Sequence, residues 1–153
     1  MGEYLATIEW RRNGAVFTDN RYNRAHTWTF DGGLSVPASS SPHVVRAPYS
    51  DPAAVDPEEA FVASVSSCHM LWFLLLAVKA GFVVDSYRDE AVGVMEKNAE
   101  GKLAITRIAL RPQIAFSGPK VPSAADIDAL HHKAHEECFI ANSVRTAITV
   151  ESR

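Results

Sequence analysis

The long apolar segment over residues 60–84 constrains the fold of this chain more than any other feature. It reads AFVASVSSCHMLWFLLLAVKAGFVV and is long enough to cross a bilayer. Ser64, Ser66 and the pair Cys68-His69 occupy its middle, where a lipid-facing span is most apolar. A helix that is apolar on nearly all sides is also typical of a protein core. We therefore expect a buried central helix and no membrane span.

The residues that flank this segment predict where the helix begins and ends. Asp56 can cap the helix, Pro57 suits its first position, and Glu59 stands where a capping box requires an acid. Gly81 supplies a C-terminal stop. The sequence thus predicts a helix over residues 57–80.

The residues before this helix read as strands and loops. Tyr4, Ala6, Ile8 and Trp10 alternate with polar side chains, which is typical of a strand with one buried face. A β-prone segment over 26–30 predicts a second strand. Proline and serine are frequent in residues 34–56, and we expect an ordered loop there.

The second half of the chain predicts two strands, a helix and a strand. The first two, residues 85–97 and 103–116, are joined by a turn at 98–101, and the helix runs from Ser123 to about Cys138. Residues 144–150 form the closing strand. The order β-β-α-β-β-α-β predicts one α+β domain over residues 1–153 with a largely antiparallel sheet.

Composition excludes several classes of protein. The 153 residues carry a net charge of −3, so no basic surface for nucleic acid is expected. The N-terminal residues show no secretory signal pattern, which favours the cytoplasm. Two cysteines, Cys68 and Cys138, cannot form the disulfide framework of a small secreted domain.

The two cysteines are the first candidates for chemistry. Each could be a small buried hydrophobic residue, which is the common fate of free cysteine. Alternatively, a thiolate attacks a peroxide oxygen, and a second thiol condenses with the resulting sulfenic acid to form a disulfide. Only about 3% of an ordinary thiol is ionised at pH 7, so such a nucleophile needs a nearby positive charge, usually an arginine.

The chain resembles the OsmC/Ohr family, which comprises osmotically inducible protein C and the organic hydroperoxide resistance proteins. The resemblance rests on residues 56–68, DPEEAFVASVSSC, and continues through 80–82, 105–110 and 134–138. It implies a thiol-dependent hydroperoxidase that works as an intertwined homodimer without a metal or organic cofactor. Its implied partners are a hydroperoxide substrate and a dithiol reductant, including a lipoylated protein.

The resemblance also implies roles for individual residues. Cys68 would be the peroxidatic and Cys138 the resolving cysteine. Glu58 matches the family's glutamate that fixes an arginine beside the thiolate, although an acid in a first helical turn also favours the helix dipole. Arg24, which precedes a predicted strand, best matches that arginine, and Arg12 is the alternative.

A continuous helix would have a further consequence for this site. Ten residues separate Glu58 from Cys68, which corresponds to ~15 Å of axial rise and ~80° of rotation. The two side chains could not then serve one small substrate directly. We therefore expect a homodimer in which Glu58 of one subunit holds its arginine over the partner's thiol.

Histidines supply a rival interpretation. His131, His135 and Cys138 recur on one helical face and could bind zinc, although we favour a solvated histidine-rich face. His69, which the usual family pattern lacks, is expected in the core or at an interface and suggests a distinct subgroup. A non-catalytic small-molecule binder on the same fold is the third class of function.

Overall fold

The structure is a computed structural model that describes residues 1–151. Contacts divide the chain into two compact units, residues 1–60 and 61–153, and each is described by itself. Strands and two helices give the α+β class that the sequence predicts. The expectation of a single domain stays a prediction.

The first unit contains a three-stranded antiparallel sheet. Its strands are β1 (Ala6–Glu9), β2 (His26–Phe30) and β3 (Ser35–Ala38), in the order β1-β2-β3. The prediction of a loop over residues 34–56 is wrong at β3. Pro37 is compatible with this edge strand, because its carbonyl points outward and accepts from the Val55 amide at 3.1 Å. Its nitrogen also points away from β2, so the missing amide hydrogen of proline costs no hydrogen bond between β2 and β3.

Helix α1 (Pro57–Ala80) begins and ends where the sequence predicts. The Glu59 amide donates to Asp56 Oδ1 at 2.8 Å, and the Asp56 amide donates to the Glu59 carboxylate at 3.4 Å. This reciprocal pair is the expected capping box. Gly81 ends the helix with a φ of +80°, a conformation that favours glycine.

By length and composition, α1 could cross a membrane, a property that it shares with core helices. Its buried residues follow one face at Val65, His69, Phe73 and Ala77. The apolar members of this face belong to two hydrophobic clusters in the second unit, with Phe82, Leu130 and Ala134 around Phe73 and with Ile108 and Leu110 around Val65. This face places α1 in the core of the second unit.

Between α1 and the second helix the structure has four strands where the sequence predicts two. They are β4 (Val83–Asp89), β5 (Val92–Lys97), β6 (Leu103–Leu110) and β7 (Pro112–Ser117). Each predicted strand is divided in two, because β4 pairs with β7 in one sheet whereas β5 pairs with β6 in another. Asp89 closes the break by accepting from the Arg111 amide at 2.6 Å. Pro112 has no amide hydrogen, so this end of β7 lacks one further hydrogen-bond donor for strand pairing.

The remaining elements are helix α2 (Ala124–Glu137), a short 3-10 turn (Ala141–Ser143) and strand β8 (Ala147–Val150). A capping box of Ser123 with Asp126 stands at the start of α2, where the sequence predicts that the helix begins. Strand β8 pairs in parallel with β6, whereas the other strand pairs are antiparallel. The expectation of a largely antiparallel arrangement is thereby confirmed.

Gly93 in β5 permits close packing of α1. A Cβ atom at this position would lie 2.5 Å from Val62 Cγ2, which is closer than nonbonded carbon atoms approach. A side chain at residue 93 would therefore push the first turns of α1 in this unit away from β5.

Candidate active site

The structure brings the two cysteines together although 70 positions separate them in the sequence. Cys68 lies in α1 and is half-buried, and Cys138 caps the C-terminus of α2 with 1% of its surface exposed. Both are free thiols, and Cys68 lies near enough to Cys138 to raise the pKa of its thiol. Proximity of two thiols is what disulfide formation between them requires.

The two thiols occupy different environments. Burial raises the pKa of the Cys138 thiol to about 11, and the hydrogen bond to Cys68 acts in the same direction. Cys138 therefore stays protonated at neutral pH. Cys68 is half-buried and is therefore the more accessible of the two residues, whereas Cys138 is buried.

Neighbouring groups fix Cys138 in place. The Ala141 amide donates to its Sγ at 3.4 Å, and the Asn142 amide donates to its carbonyl at 3.0 Å. Phe139 packs edge-to-face on Trp72, one turn beyond Cys68 in α1, with ring centroids 5.5 Å apart. The surroundings of the thiol pair are thus largely apolar on the side of Trp72.

Arg24 is held by its own loop. Its Nη1 donates to the carbonyls of Asn20 (3.1 Å) and Tyr22, and its Nη2 donates to Asn20 Oδ1 at 2.6 Å. The guanidinium carbon lies 3.8 Å from the centroid of the Tyr22 ring. His26 Nδ1 donates to the Arg24 carbonyl at 2.7 Å, since His26 Nε2 accepts from Trp28. These contacts fix both the backbone and the side chain of Arg24.

Two other arginines lie near Arg24. A cavity of about 320 Å³ is lined by Arg21, Arg24 and Arg46 with Asp19 and Tyr49. Arg46 lies in a loop, where no strand or motif signal in the sequence marks it. Arg12, the alternative to Arg24, is exposed.

Glu58 carries an unusual carboxylate. Its Oε2 is buried and has no hydrogen-bond partner among residues 1–151. Neither Glu58 nor Arg24 takes part in an ion pair within that range. The expected pairing of Glu58 with an arginine therefore stays a prediction, and a buried carboxylate oxygen without a donor favours one.

A histidine pair lies beside the cysteines and was not foreseen. His69 Nε2 and His131 Nδ1 are 2.9 Å apart, and the two rings stack with an interplanar angle of 14°. The residues are 1% and 4% exposed, so the expectation of a solvated face is wrong for His131, and His69 is a core residue. Burial lowers the pKa of each to about 4. Both rings are therefore neutral at pH 7.

The other histidines of α2 do not complete a metal site. Within the described part of the chain, no three His, Cys, Asp or Glu side chains are arranged to hold a metal ion. Of the three candidate ligands, His131 and Cys138 are buried and His135 is half-buried, whereas the neighbouring His132 is exposed and lies 3.2 Å from Glu136.

Comparisons with known proteins extend these observations. The sequence profile of the family described as OsmC-like protein matches residues 50–153. An OsmC-like protein of unknown function from Vibrio cholerae is 53% identical, with a TM-score of 0.98 over the whole of both chains. No curated protein matches the chain.

More distant structures share the fold. An organic hydroperoxide resistance protein from Elizabethkingia anophelis is 19% identical, with a TM-score of 0.71 over 100% of this chain and 98% of that one. An organic hydroperoxide resistance protein from Legionella pneumophila is 16% identical, with a TM-score of 0.65 and coverage of 99% and 96%.

Proposed function

Because the chain belongs to the OsmC-like protein family, we propose that it is a thiol-dependent hydroperoxide reductase with Cys68 as the peroxidatic and Cys138 as the resolving cysteine. The proximity of the two thiols carries this proposal, since Cys68 lies near enough to Cys138 to affect the pKa of its thiol. Cys68 is the more exposed of the two, which suits the thiol that meets the peroxide first, and Cys138 would lose its proton as it attacks the sulfenic acid.

The reaction has three steps. The Cys68 thiolate attacks the terminal oxygen of a hydroperoxide ROOH, the O–O bond breaks, and the alkoxide leaves as ROH after taking a proton. The Cys138 sulfur then attacks the sulfenic acid, forming the Cys68–Cys138 disulfide and releasing water. A dithiol reductant, for which a lipoylated protein is our candidate, restores both thiols by exchange and is itself oxidised to a disulfide.

Addition of one equivalent of an alkyl hydroperoxide to the reduced protein tests this function. We expect two thiols to disappear for each peroxide consumed, and mass spectrometry should identify a Cys68–Cys138 link. Apolar neighbours such as Met70 and Trp72 favour an organic peroxide over hydrogen peroxide, so both should be assayed. Unchanged thiols with every peroxide would reject the enzyme and favour a binding protein.

Arg24 is proposed to favour the ionised form of Cys68 and to orient the peroxide through its planar donors. Arg24→Ala should slow alkylation of Cys68 by iodoacetamide at pH 7 about tenfold, because the thiolate fraction falls. Arg12→Ala and Arg46→Ala are the matched controls. An effect of Arg12→Ala without one of Arg24→Ala would transfer the role to Arg12.

The exposed face of α1 supports a homodimer. Leu71, Leu75 and Val78 are 62%, 43% and 71% exposed. Leu71 follows His69 by two positions, or ~200° of rotation, so this stripe lies opposite the buried face. An exposed apolar stripe of this kind is typical of a protein–protein interface, and we propose that a second copy of the chain packs against it.

A shared active site follows from the continuity of α1. The helix is unbroken between Glu58 and Cys68, so Glu58 would act on the partner's thiol. Mixing inactive Cys68→Ser chains with inactive Glu58→Ala chains under refolding conditions should restore activity at one site of each mixed dimer. Cys68→Ser mixed with the Cys68→Ser/Glu58→Ala double variant is the control that should stay inactive. No recovery in verified mixed dimers would reject the shared site.

A further inference from the structure

Two polar contacts join α1 to α2 in the second unit. His69 of α1 hydrogen-bonds His131 at 2.9 Å, and the preceding residue of α1, Cys68, lies near enough to Cys138 to affect the pKa of its thiol. The rest of the interface between the helices is hydrophobic, with Leu130 and Ala134 packed in the cluster around Phe73. Only the polar contacts are directional, because hydrophobic packing does not fix a particular atom pair.

The spacing of these contacts determines how the helices cross. His131 and Cys138 lie seven residues apart, which is ~10 Å along α2. Their partners on α1 are consecutive, so they differ by only ~1.5 Å along the axis but by ~100° around it. Helix α2 therefore crosses over α1 instead of running beside it, and the two contacts are made on different faces of α1.

This arrangement makes the position of Cys138 sensitive to the histidine pair. A small rotation of α2 about its crossing point would displace its C-terminus, where Cys138 lies, away from Cys68. The histidine bond opposes that rotation from the other side of the crossing. No other hydrogen bond of the two rings takes its place, because His69 Nδ1 and His131 Nε2 have no partner within residues 1–151.

We propose that the His69–His131 hydrogen bond is a positioning contact that holds Cys138 against Cys68 and so favours closure of the disulfide. The inference rests on the proposed function for its role in turnover. Packing of His131 against Phe73, with ring centroids 4.5 Å apart, supports the bond by fixing the ring plane. Neither histidine touches the peroxide in this scheme.

The test separates positioning from stability. In His69→Leu/His131→Leu, two apolar side chains fill the space without a directional bond, so the fold should be kept. We expect the equilibrium constant of the Cys68–Cys138 disulfide, measured against reduced and oxidised dithiothreitol, to fall about tenfold. His131→Gln, whose amide can still bond His69 Nε2, should retain most of the wild-type value. His132→Ala, on the exposed face of α2, is the neutral control.

Peroxide kinetics supply the second measurement. In the double leucine variant, Cys68 should form sulfenic acid at the wild-type rate, whereas closure should slow about tenfold and dimedone should trap more of the intermediate. A folded double variant that closes its disulfide as readily as the wild type would overturn the proposal. If the double leucine variant does not fold, the single variant His131→Phe, which also lacks the hydrogen bond, is used for the same measurements. Because the dithiothreitol equilibrium needs no peroxide, failure of the proposed function would be recognised separately.

Discussion

Cys68→Ser is expected to reduce hydroperoxide turnover to the uncatalysed background. A serine hydroxyl in the same half-buried position of α1 is not ionised at neutral pH and cannot form the sulfenic acid. Loss of the nucleophile in covalent catalysis costs on the order of a thousand-fold or more in rate. The measurement is steady-state consumption of an alkyl hydroperoxide with a dithiol as the reductant.

Cys138→Ser should behave differently and supplies the matched control. Cys68 of this variant should reduce one peroxide per chain and then stop as a sulfenic acid that dimedone labels. Turnover would be lost while the first oxidation stays fast. Wild-type activity in Cys68→Ser would contradict the assignment, and sustained turnover in Cys138→Ser would show that another thiol resolves the intermediate.

Acid should destabilise the fold through the histidine pair. The pKa of each ring is about 4 in the folded chain and about 6.5 when the chain is unfolded. Between these values the unfolded state binds more protons, so the free energy of unfolding falls as the pH falls from about 6.5 to 4. The loss between pH 7 and pH 5 is about 2 kcal/mol for each histidine.

Urea unfolding at pH 7, 6 and 5 measures this effect while most carboxylates remain ionised. Charges that face the pair moderate it: Asp128 and Asp89 favour protonation of His131, whereas His135 opposes protonation of His69. The His69→Leu/His131→Leu variant should lose most of the pH dependence in this window. An equal slope in the wild type and in this variant would refute the assignment to the pair.

Both helices could be predicted from the sequence because their signals are local. Asp56, Glu59, Ser123 and Asp126 form capping boxes within four residues of chain, and the helices begin where those residues stand. The strands between the helices were less predictable. The point at which a predicted strand divides between two sheets depends on pairing with residues distant in the sequence. At the break after β4, Asp89 accepts a hydrogen bond from the amide of Arg111, 22 positions away.

The candidate site likewise combines residues that the sequence indicates with contacts that depend on the packing of distant segments. Resemblance to a family predicts the roles of Cys68 and Cys138, and in the structure Cys68 lies near enough to raise the pKa of the Cys138 thiol. The bond between His69 and His131 joins residues 62 positions apart on two helices. The helical period predicts that His131, His135 and Cys138 share a face but not which of them another element covers. Only the packing of α2 on α1 decides that His131 is buried.

The parallel pairing of β8 with β6 gives the chain an order of events during synthesis. A parallel neighbour requires a crossover, and here the crossover contains β7, α2 and Cys138. Until β8 emerges from the ribosome, the edge of β6 that it will occupy has unpaired amides and carbonyls. Cys68 and Cys138 both precede β8 in the chain and are made before it. Nascent chains therefore pass through a stage in which two free thiols and an open strand edge coexist, when oxidation and intermolecular pairing would do the most harm.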